Sequence, residues 1–145
     1  MKIVQATIND LDALTELFDL YRLFYEQQSD TSGARAFMNE RLSNGESVVF
    51  MALDNNEATG FVQLYPSFSS VSMKRTWVLN DLYVKEKARG KGFGEKLIRE
   101  AIAFAEGTEA KGVLLETGKE NVGAQRLYEK IGFIKETNHF YFFSV

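Results

Sequence analysis

LYVKEKARGKGFGEKLI, residues 82–98, joins an apolar, strand-like segment to a helix-like one through a loop with three glycines and four basic side chains. A strand that leads through such a loop into a helix brings several backbone N–H groups and the positive end of the helix dipole to one place. The stretch therefore predicts an anion-binding turn between a strand and a helix.

Two familiar phosphate-binding motifs do not fit this loop. The P-loop pattern GxxxxGK[ST] fails because no Gly-Lys pair of the chain is followed by Ser or Thr. The dinucleotide pattern GxGxxG fails because Glu95 and Leu97 stand where its third glycine is required. A third pattern, Arg/Gln-x-x-Gly-x-Gly/Ala, is met by Arg89, Gly92 and Gly94.

Hydrophobic periodicity outside the loop predicts one domain, residues 1–145, of the α/β (α+β) class, with one mixed sheet and helices on its faces. The predicted strands are 2–8, 47–54, 61–66, 76–84, 111–118, 133–137 and 139–145. The predicted helices follow residues 9–10, cover 32–42, follow the glycine loop, and run from about 121 to 131. Gly45 is expected in a left-handed conformation where the second helix ends, and 67–75 is expected to be a loop.

The amino-acid composition argues against several classes of function. With 145 residues, 45% of them hydrophobic, the chain is long enough for one packed core. It has no cysteine and one histidine, His139, so we expect no thiolate nucleophile, no metal site and no Ser/His/Asp catalysis. A net charge of −3 argues against nucleic-acid binding. Neither a signal peptide nor a membrane-length apolar run is apparent, so we expect a cytoplasmic protein with no membrane partner.

The loop pattern has a second signature downstream. ENVGAQRLYEKIGF, residues 120–133, begins a helix with an Asn and places a Tyr just before Gly-Phe. With Arg89, Gly92 and Gly94 after a strand ending in LYV, the chain resembles the GNAT superfamily of acetyl-CoA-dependent N-acetyltransferases. The resemblance implies a mostly antiparallel sheet whose fourth and fifth strands splay apart around the cofactor.

The resemblance also implies how acetyl-CoA would be bound. The glycine loop would wrap the pyrophosphate, and the pantetheine arm would pair with the backbone of a bulged fourth strand. An Asn at the start of the last helix would contact the cofactor, although such a residue is also an ordinary helix N-cap. The cofactor residues implied in this way are Leu82, Tyr83, Val84, Arg89, Gly90, Lys91, Gly92, Phe93, Gly94 and Asn121.

Acetyl transfer to an amine needs a proton for the departing thiolate, a donor for the thioester oxygen and a neutral amine. By resemblance Tyr128 is the acid, although its place in an apolar helical stripe also suits a core residue, and the N–H of Leu82 is the oxyanion donor. Asp81 and Glu116 are two candidates for the base, and each could instead be a structural, hydrogen-bonded acid.

The acceptor side is less constrained. The residues expected to form it are Tyr21, Phe24, Tyr25, Glu26 and Asn80, although core packing explains most of the aromatic ones equally well. A small cationic amine such as a polyamine, an aminoglycoside or an amino-acid derivative is the expected acceptor. A peptide or protein acetyltransferase is an alternative, and a non-catalytic acetyl-CoA-binding sensor is an alternative of another class. The apolar tail HFYFFSV, residues 139–145, raises the further possibility of a homodimer.

Overall fold

The computed structural model describes residues 1–145. The strands are β1 (Lys2–Gln5), β2 (Val48–Asp54), β3 (Glu57–Ser69), β4 (Lys74–Val84) and β5 (Val113–Leu114). The α-helices are α1 (Leu11–Phe24), α2 (Thr31–Ser43), α3 (Phe93–Gly107) and α4 (Val122–Ile131), and short 3-10 turns cover Ile8–Asp10 and Glu86–Ala88. None of the helices is both long and apolar enough to cross a membrane.

The five strands form one sheet in chain order, and its two ends are paired differently. Strands β1 to β4 pair antiparallel with their neighbours. Strand β5 is parallel to β4 and pairs with it only at Trp77↔Val113 and Val78↔Leu114. Because β4 continues to Val84 without β5 beside it, the two strands separate there. The predicted mixed, mostly antiparallel sheet with a splay between strands four and five is confirmed.

Helices cover both faces of the sheet, because successive side chains of a strand point to opposite faces. Phe50, Val62 and Leu64 pack in one buried cluster with α3. Val49, Met51 and Phe61 pack in a second cluster with α1 and α2. The predicted placement of helices on both faces is therefore confirmed.

Two local features of the central strands position the site. The β3–β4 register changes from Gln63↔Asp81 to Leu64↔Leu79, so Asn80 is an extra residue in a β-bulge. Gly60 allows the same two strands to approach closely, since a Cβ added there would lie 2.7 Å from the carbonyl oxygen of Tyr83. The bulge confirms the expectation for the fourth strand.

The main error of the sequence prediction lies at the C-terminus. Residues 133–137 and 139–145 form neither of the two predicted strands. A strand needs a neighbour for its backbone groups, and residues 134–145 make no backbone hydrogen bond within the chain. The predicted strand 111–118 is likewise reduced to Val113–Leu114, because β4 lies beside it only there.

A second error concerns residues 67–75, which are not a loop. Strand β3 runs to Ser69 and β4 begins at Lys74, so only a short turn separates them. The pairs Ser67↔Thr76 and Ser69↔Lys74 continue the ladder through a serine-rich segment whose composition suggested a loop. Gly45, at the end of α2, does have the expected positive φ of 63°.

Candidate active site

The glycine loop between β4 and α3 leaves a group of backbone donors free. Gly90 and Gly92 have φ angles of 80° and 87°, in the region that glycine adopts at little cost. None of the backbone N–H groups of residues 90–95 donates a hydrogen bond within the chain. Since they surround the start of a 15-residue helix, these donors and the helix dipole are placed to receive an anion.

The loop has room for a phosphate group close to its backbone. A Cβ added at Gly90 or Gly92 would meet no protein atom within 4 Å, so both residues border open space. Lys91 is exposed on the same loop and adds positive charge. The donors, the space and the charge fit the pyrophosphate of a coenzyme.

A cleft of about 490 Å³ opens from this loop into the gap between β4 and β5. Every residue predicted to bind coenzyme lines it except Lys91. Glu116 and Tyr128 also line it, as do Phe24, Tyr25 and Asn80 of the expected acceptor side. The fold therefore brings residues from α1, β4, the glycine loop and α4 to one cavity.

Arg89 links the loop to the acceptor side of the cleft. Its Nε donates a hydrogen bond of 2.9 Å to the carbonyl oxygen of Val84. Its guanidinium lies 5.5 Å from the ring centroid of Phe24 and 5.6 Å from that of Tyr83. These contacts hold the positive charge at the end of β4 and leave other guanidinium donors for an anion.

Tyr128 lies on the opposite wall of the cleft, on α4. Its ring packs edge to face against Phe133 at 5.9 Å, and its hydroxyl has no hydrogen-bond partner within the chain. Burial raises the pKa of Tyr128, and the nearby Tyr25 acts in the same direction. The hydroxyl is therefore protonated at neutral pH and free to donate.

Asp81 does not line the cleft, because its side chain is buried on the α1 side of the sheet. Its carboxylate accepts hydrogen bonds from the Gln63 amide and, at 2.8 Å, from Nδ2 of Asn80. Burial raises the pKa of Asp81, while the hydrogen bonds from Asn80, Gln63 and Tyr21 oppose the shift. Asn80 itself reaches the cleft, so Asp81 is one residue removed from it.

Gln63 and Tyr65 complete this polar group, and sequence reasoning missed Gln63. The Oε1 atom of Gln63 is buried without a hydrogen-bond partner, so after a half-turn of the amide it can accept a hydrogen bond from the protonated carboxyl of Asp81. Burial and the Asp81 carboxylate raise the pKa of Tyr65. Only the strand register places Gln63 opposite Asp81, and the sequence carries no separate signal for it.

Four predicted site residues lie outside the cleft lining: Tyr21, Glu26, Asp81 and Lys91. The Tyr21 hydroxyl lies 3.4 Å from the carbonyl oxygen of Asn80. It therefore contacts a residue of the cleft lining without lining the cleft itself. Glu26 is exposed just after α1, with a φ of 62°. Asn121 lines the cleft and also caps α4, because its Oδ1 accepts the N–H of Ala124 at 3.3 Å.

The sequence of this chain matches a family of known proteins. Residues 14–133 match the family described as the Acetyltransferase (GNAT) family. The chain belongs to this family. It is an acyltransferase, and GNAT enzymes generally use acetyl-CoA as cosubstrate.

Three relatives show how far the likeness of this acetyltransferase extends. An uncharacterised N-acetyltransferase of Bacillus subtilis (strain 168), YhfO, is 48% identical over 94% of this chain and 92% of its own length. A probable acetyltransferase of Haemophilus influenzae is 35% identical over 80% of each chain. The crystal structure of a probable acetyltransferase is 42% identical and superposes with a TM-score of 0.95, covering 100% of this chain and 98% of the other.

Proposed function

We propose that this GNAT enzyme transfers acetyl from acetyl-CoA to the primary amine of a small cationic acceptor by direct attack. The observation that carries the proposal is one cleft with free backbone donors at residues 90–95 on one side and the Tyr128 hydroxyl on the other. The first group suits the coenzyme phosphates, and the second suits the end of the cofactor where acetyl is transferred. When bound, acetyl-CoA supplies the thioester carbon that the amine attacks.

The glycine loop binds and orients the coenzyme. Its free N–H groups, with Arg89 and Lys91, hold the pyrophosphate, and the unpaired edge of β4 beyond Val78 receives the pantetheine arm. The N–H of Leu82, which lines the cleft, donates to the oxygen on which negative charge develops.

Tyr128 supplies the proton. Its raised pKa keeps the hydroxyl protonated over the working pH range. A thiol has an ordinary pKa of about 8.5, so the departing sulfur is stable enough to leave, and protonation by Tyr128 completes the step.

Two carboxylates, those of Glu116 and Asp81, attract the acceptor amine and remove its proton. An alkylamine with a pKa of about 10.4 is neutral in only about one molecule in two thousand at pH 7, so removal of its proton matters. Glu116 lines the cleft and forms no ion pair within the chain, so it attracts the ammonium group. Asp81 receives the proton through water at Asn80, because its raised pKa makes it a stronger base than an ordinary carboxylate.

Aromatic side chains favour a small acceptor. Phe24 and Tyr25 pack edge to face at 5.3 Å, and Phe24 and Tyr83 do so at 6.3 Å. Together they form a wall at the acceptor end of the cleft and provide ring faces for a cation.

The test is acetyl-CoA-dependent thiol release with a panel of polyamines, aminoglycosides, amino acids and lysine peptides. A blank without acceptor corrects for hydrolysis, and a parallel titration measures acetyl-CoA binding. We expect release well above the blank for one class of small cationic amine. Release only with peptides would instead establish a peptide or protein acetyltransferase. A flat panel from protein that binds acetyl-CoA would favour the sensor alternative.

A further inference from the structure

Helix α4 carries Tyr128 but is weakly anchored to the rest of the chain. None of its residues is buried, and its apolar side chains are only partly covered by the cluster around α3. One hydrogen bond joins α4 to an earlier element, from Nζ of Lys130 to Oε1 of Glu95 at 3.0 Å. All its other hydrogen bonds stay within residues 118–133. The single polar link between α4 and the frame of the molecule is therefore an ion pair with α3.

Glu95 lies where the coenzyme phosphates are expected. It is the third residue of α3, and it lines the cleft beside the free N–H groups of residues 90–95. Hydrogen bonds from Lys130 and Arg99 lower the pKa of Glu95, so its carboxylate is ionised at neutral pH. The helix dipole also favours a negative charge in the first turn of α3. The ion pair thus connects the helix that carries Tyr128 to the anion-binding end of α3.

Two cations share the Glu95 carboxylate, and they differ in what they connect. Nε of Arg99 donates to Oε2 at 3.0 Å, and Nζ of Lys130 donates to Oε1 at the same distance. Arg99 is four residues further along α3, so its pair lies within one helix. Lys130 lies on α4, so its pair spans two helices. Removal of either cation takes one positive charge from the same carboxylate, but only removal of Lys130 releases α4.

An apolar contact acts beside the ion pair. A Cβ added at Gly94 would lie 4.0 Å from Cδ2 of Leu127, so the start of α3 faces the middle of α4. Leu127 and Lys130 are three residues apart and are neighbours on one face of α4. Tyr128 follows Leu127 by about 100° around the helix axis. Contacts of α3 with positions 127 and 130 therefore fix the rotation of α4, and with it the direction of the Tyr128 ring.

We propose that Lys130 is a positioning residue whose ion pair with Glu95 holds α4 in the rotation that directs the Tyr128 hydroxyl into the cleft. The inference rests on the proposed function, in which Tyr128 donates a proton to the departing thiolate. Lys130 does not line the cleft, so it acts through the helix. Without the pair, α4 is held by its partly covered apolar side chains alone. The hydroxyl then spends less time within reach of the thiolate, while Glu95 stays paired with Arg99.

The first test compares turnover at saturating acetyl-CoA. Lys130→Met should lower turnover about two- to fivefold, the range expected for the loss of an exposed ion pair, and change acetyl-CoA affinity by less than about twofold. Lys130→Arg keeps the charge and should restore turnover. Arg99→Met is the matched control and should turn over normally. In a Tyr128→Phe background, Lys130→Met should cause no further loss, because both changes act on one proton transfer.

Three results of this comparison would overturn the proposal. The first is normal turnover in Lys130→Met, and the second is an equal loss in Arg99→Met, which would make the effect one of charge alone. The third is a further loss when Lys130→Met is added to Tyr128→Phe, which would mean that Lys130 acts on something other than the Tyr128 hydroxyl.

The second test observes Tyr128 without turnover. 3-Fluorotyrosine is placed at position 128 of the full chain, and its ¹⁹F resonance is recorded. Lys130→Met should shift or broaden the resonance, whereas Arg99→Met should leave it in place. A resonance that Lys130→Met does not change would overturn the proposal. If the resonance changes as expected but the unmodified chain acetylates no amine, the proposed function fails and the placement of Tyr128 by Lys130 is supported.

Discussion

Residues 1–105 and residues 106–145 use apolar side chains in different ways. All 29 buried residues lie in the first region, and the last of them is Ala105. The second region is also rich in apolar residues, among them Leu127, Phe133 and Phe140, yet none of its residues is buried. The first region is a packed frame, whereas the second is a wall that the chain itself leaves uncovered. A hydrophobic sequence stabilises a fold only where the topology provides a surface against which it can pack.

The cleft lies at the border of the two regions. The glycine loop and α3 belong to the frame, whereas Glu116 and Tyr128 belong to the wall. In the proposed function, the well-packed region would bind the coenzyme phosphates and the less buried region would donate the proton. Four substitutions separate these contributions.

The largest expected effect comes from opening a cavity in the frame. Phe61 is fully buried and packs against Phe18 and Tyr21, so Phe61→Ala should lower the free energy of unfolding by about 4 kcal/mol. Phe142→Ala is the matched change at an exposed aromatic residue and should change the free energy of unfolding by no more than about 0.5 kcal/mol, because Phe142 is 93% exposed. Urea unfolding measures both. An equal loss for Phe142→Ala would mean that residues 134–145 pack on their own chain.

The next largest effect is expected on turnover, from a change at Tyr128 in the second region. Tyr128→Phe removes the hydroxyl but keeps the ring against Phe133, so turnover should fall about a hundredfold while affinity for acetyl-CoA stays unchanged. Thiol-release kinetics and an equilibrium titration give the two quantities. Full turnover in this variant would leave Tyr128 with a packing role only.

A smaller effect is expected on acetyl-CoA affinity, from a change in the glycine loop of the first region. Gly92→Val places a side chain among the free N–H groups at a φ of 87°, so affinity for acetyl-CoA should fall about ten- to a hundredfold. Gly107→Val, at the far end of α3, also meets open space and should bind normally. If Gly92→Val bound acetyl-CoA as tightly as the unmodified chain, the phosphates would lie elsewhere.

The smallest effect is a change in pH dependence. Because burial raises the pKa of Asp81, its carboxylate forms, and the rate should rise, at a higher pH than for an ordinary carboxyl. Asp81→Asn should flatten that rise and lower the rate a few-fold. The protonated form is favoured by folding, so the stability contributed by Asp81 is present at low pH and lost as pH rises through its raised pKa.

Asp19→Asn is the matched control for Asp81→Asn. The Ser29 hydroxyl and the Asp30 N–H lower the pKa of Asp19, so its contribution to stability is lost as pH falls. Its removal should change the pH dependence of unfolding in the opposite sense and leave the pH profile of the rate intact. Rate profiles that remain the same for Asp81→Asn and the unmodified chain would assign the base to Glu116 or to water.

The sequence alone determined the parts of this protein that depend on local chemistry. Periodicity and turn residues predict the four helices and the central strands, since each needs only its own residues and one apolar face. Arg89, Gly92 and Gly94 predict the anion-binding turn, because backbone conformation and a helix start are local properties. The resemblance carried by Asn121 and Tyr128 added the opposite wall of the cleft.

Only the tertiary structure decided features that depend on residues far apart in the chain. It placed Gln63 against Asp81 through the β3–β4 register and turned Asp81 away from the cleft. It also left residues 134–145 without backbone hydrogen bonds, although their composition is typical of a strand. Propensity describes what a segment can form, whereas a strand exists only where another edge meets its hydrogen-bonding groups.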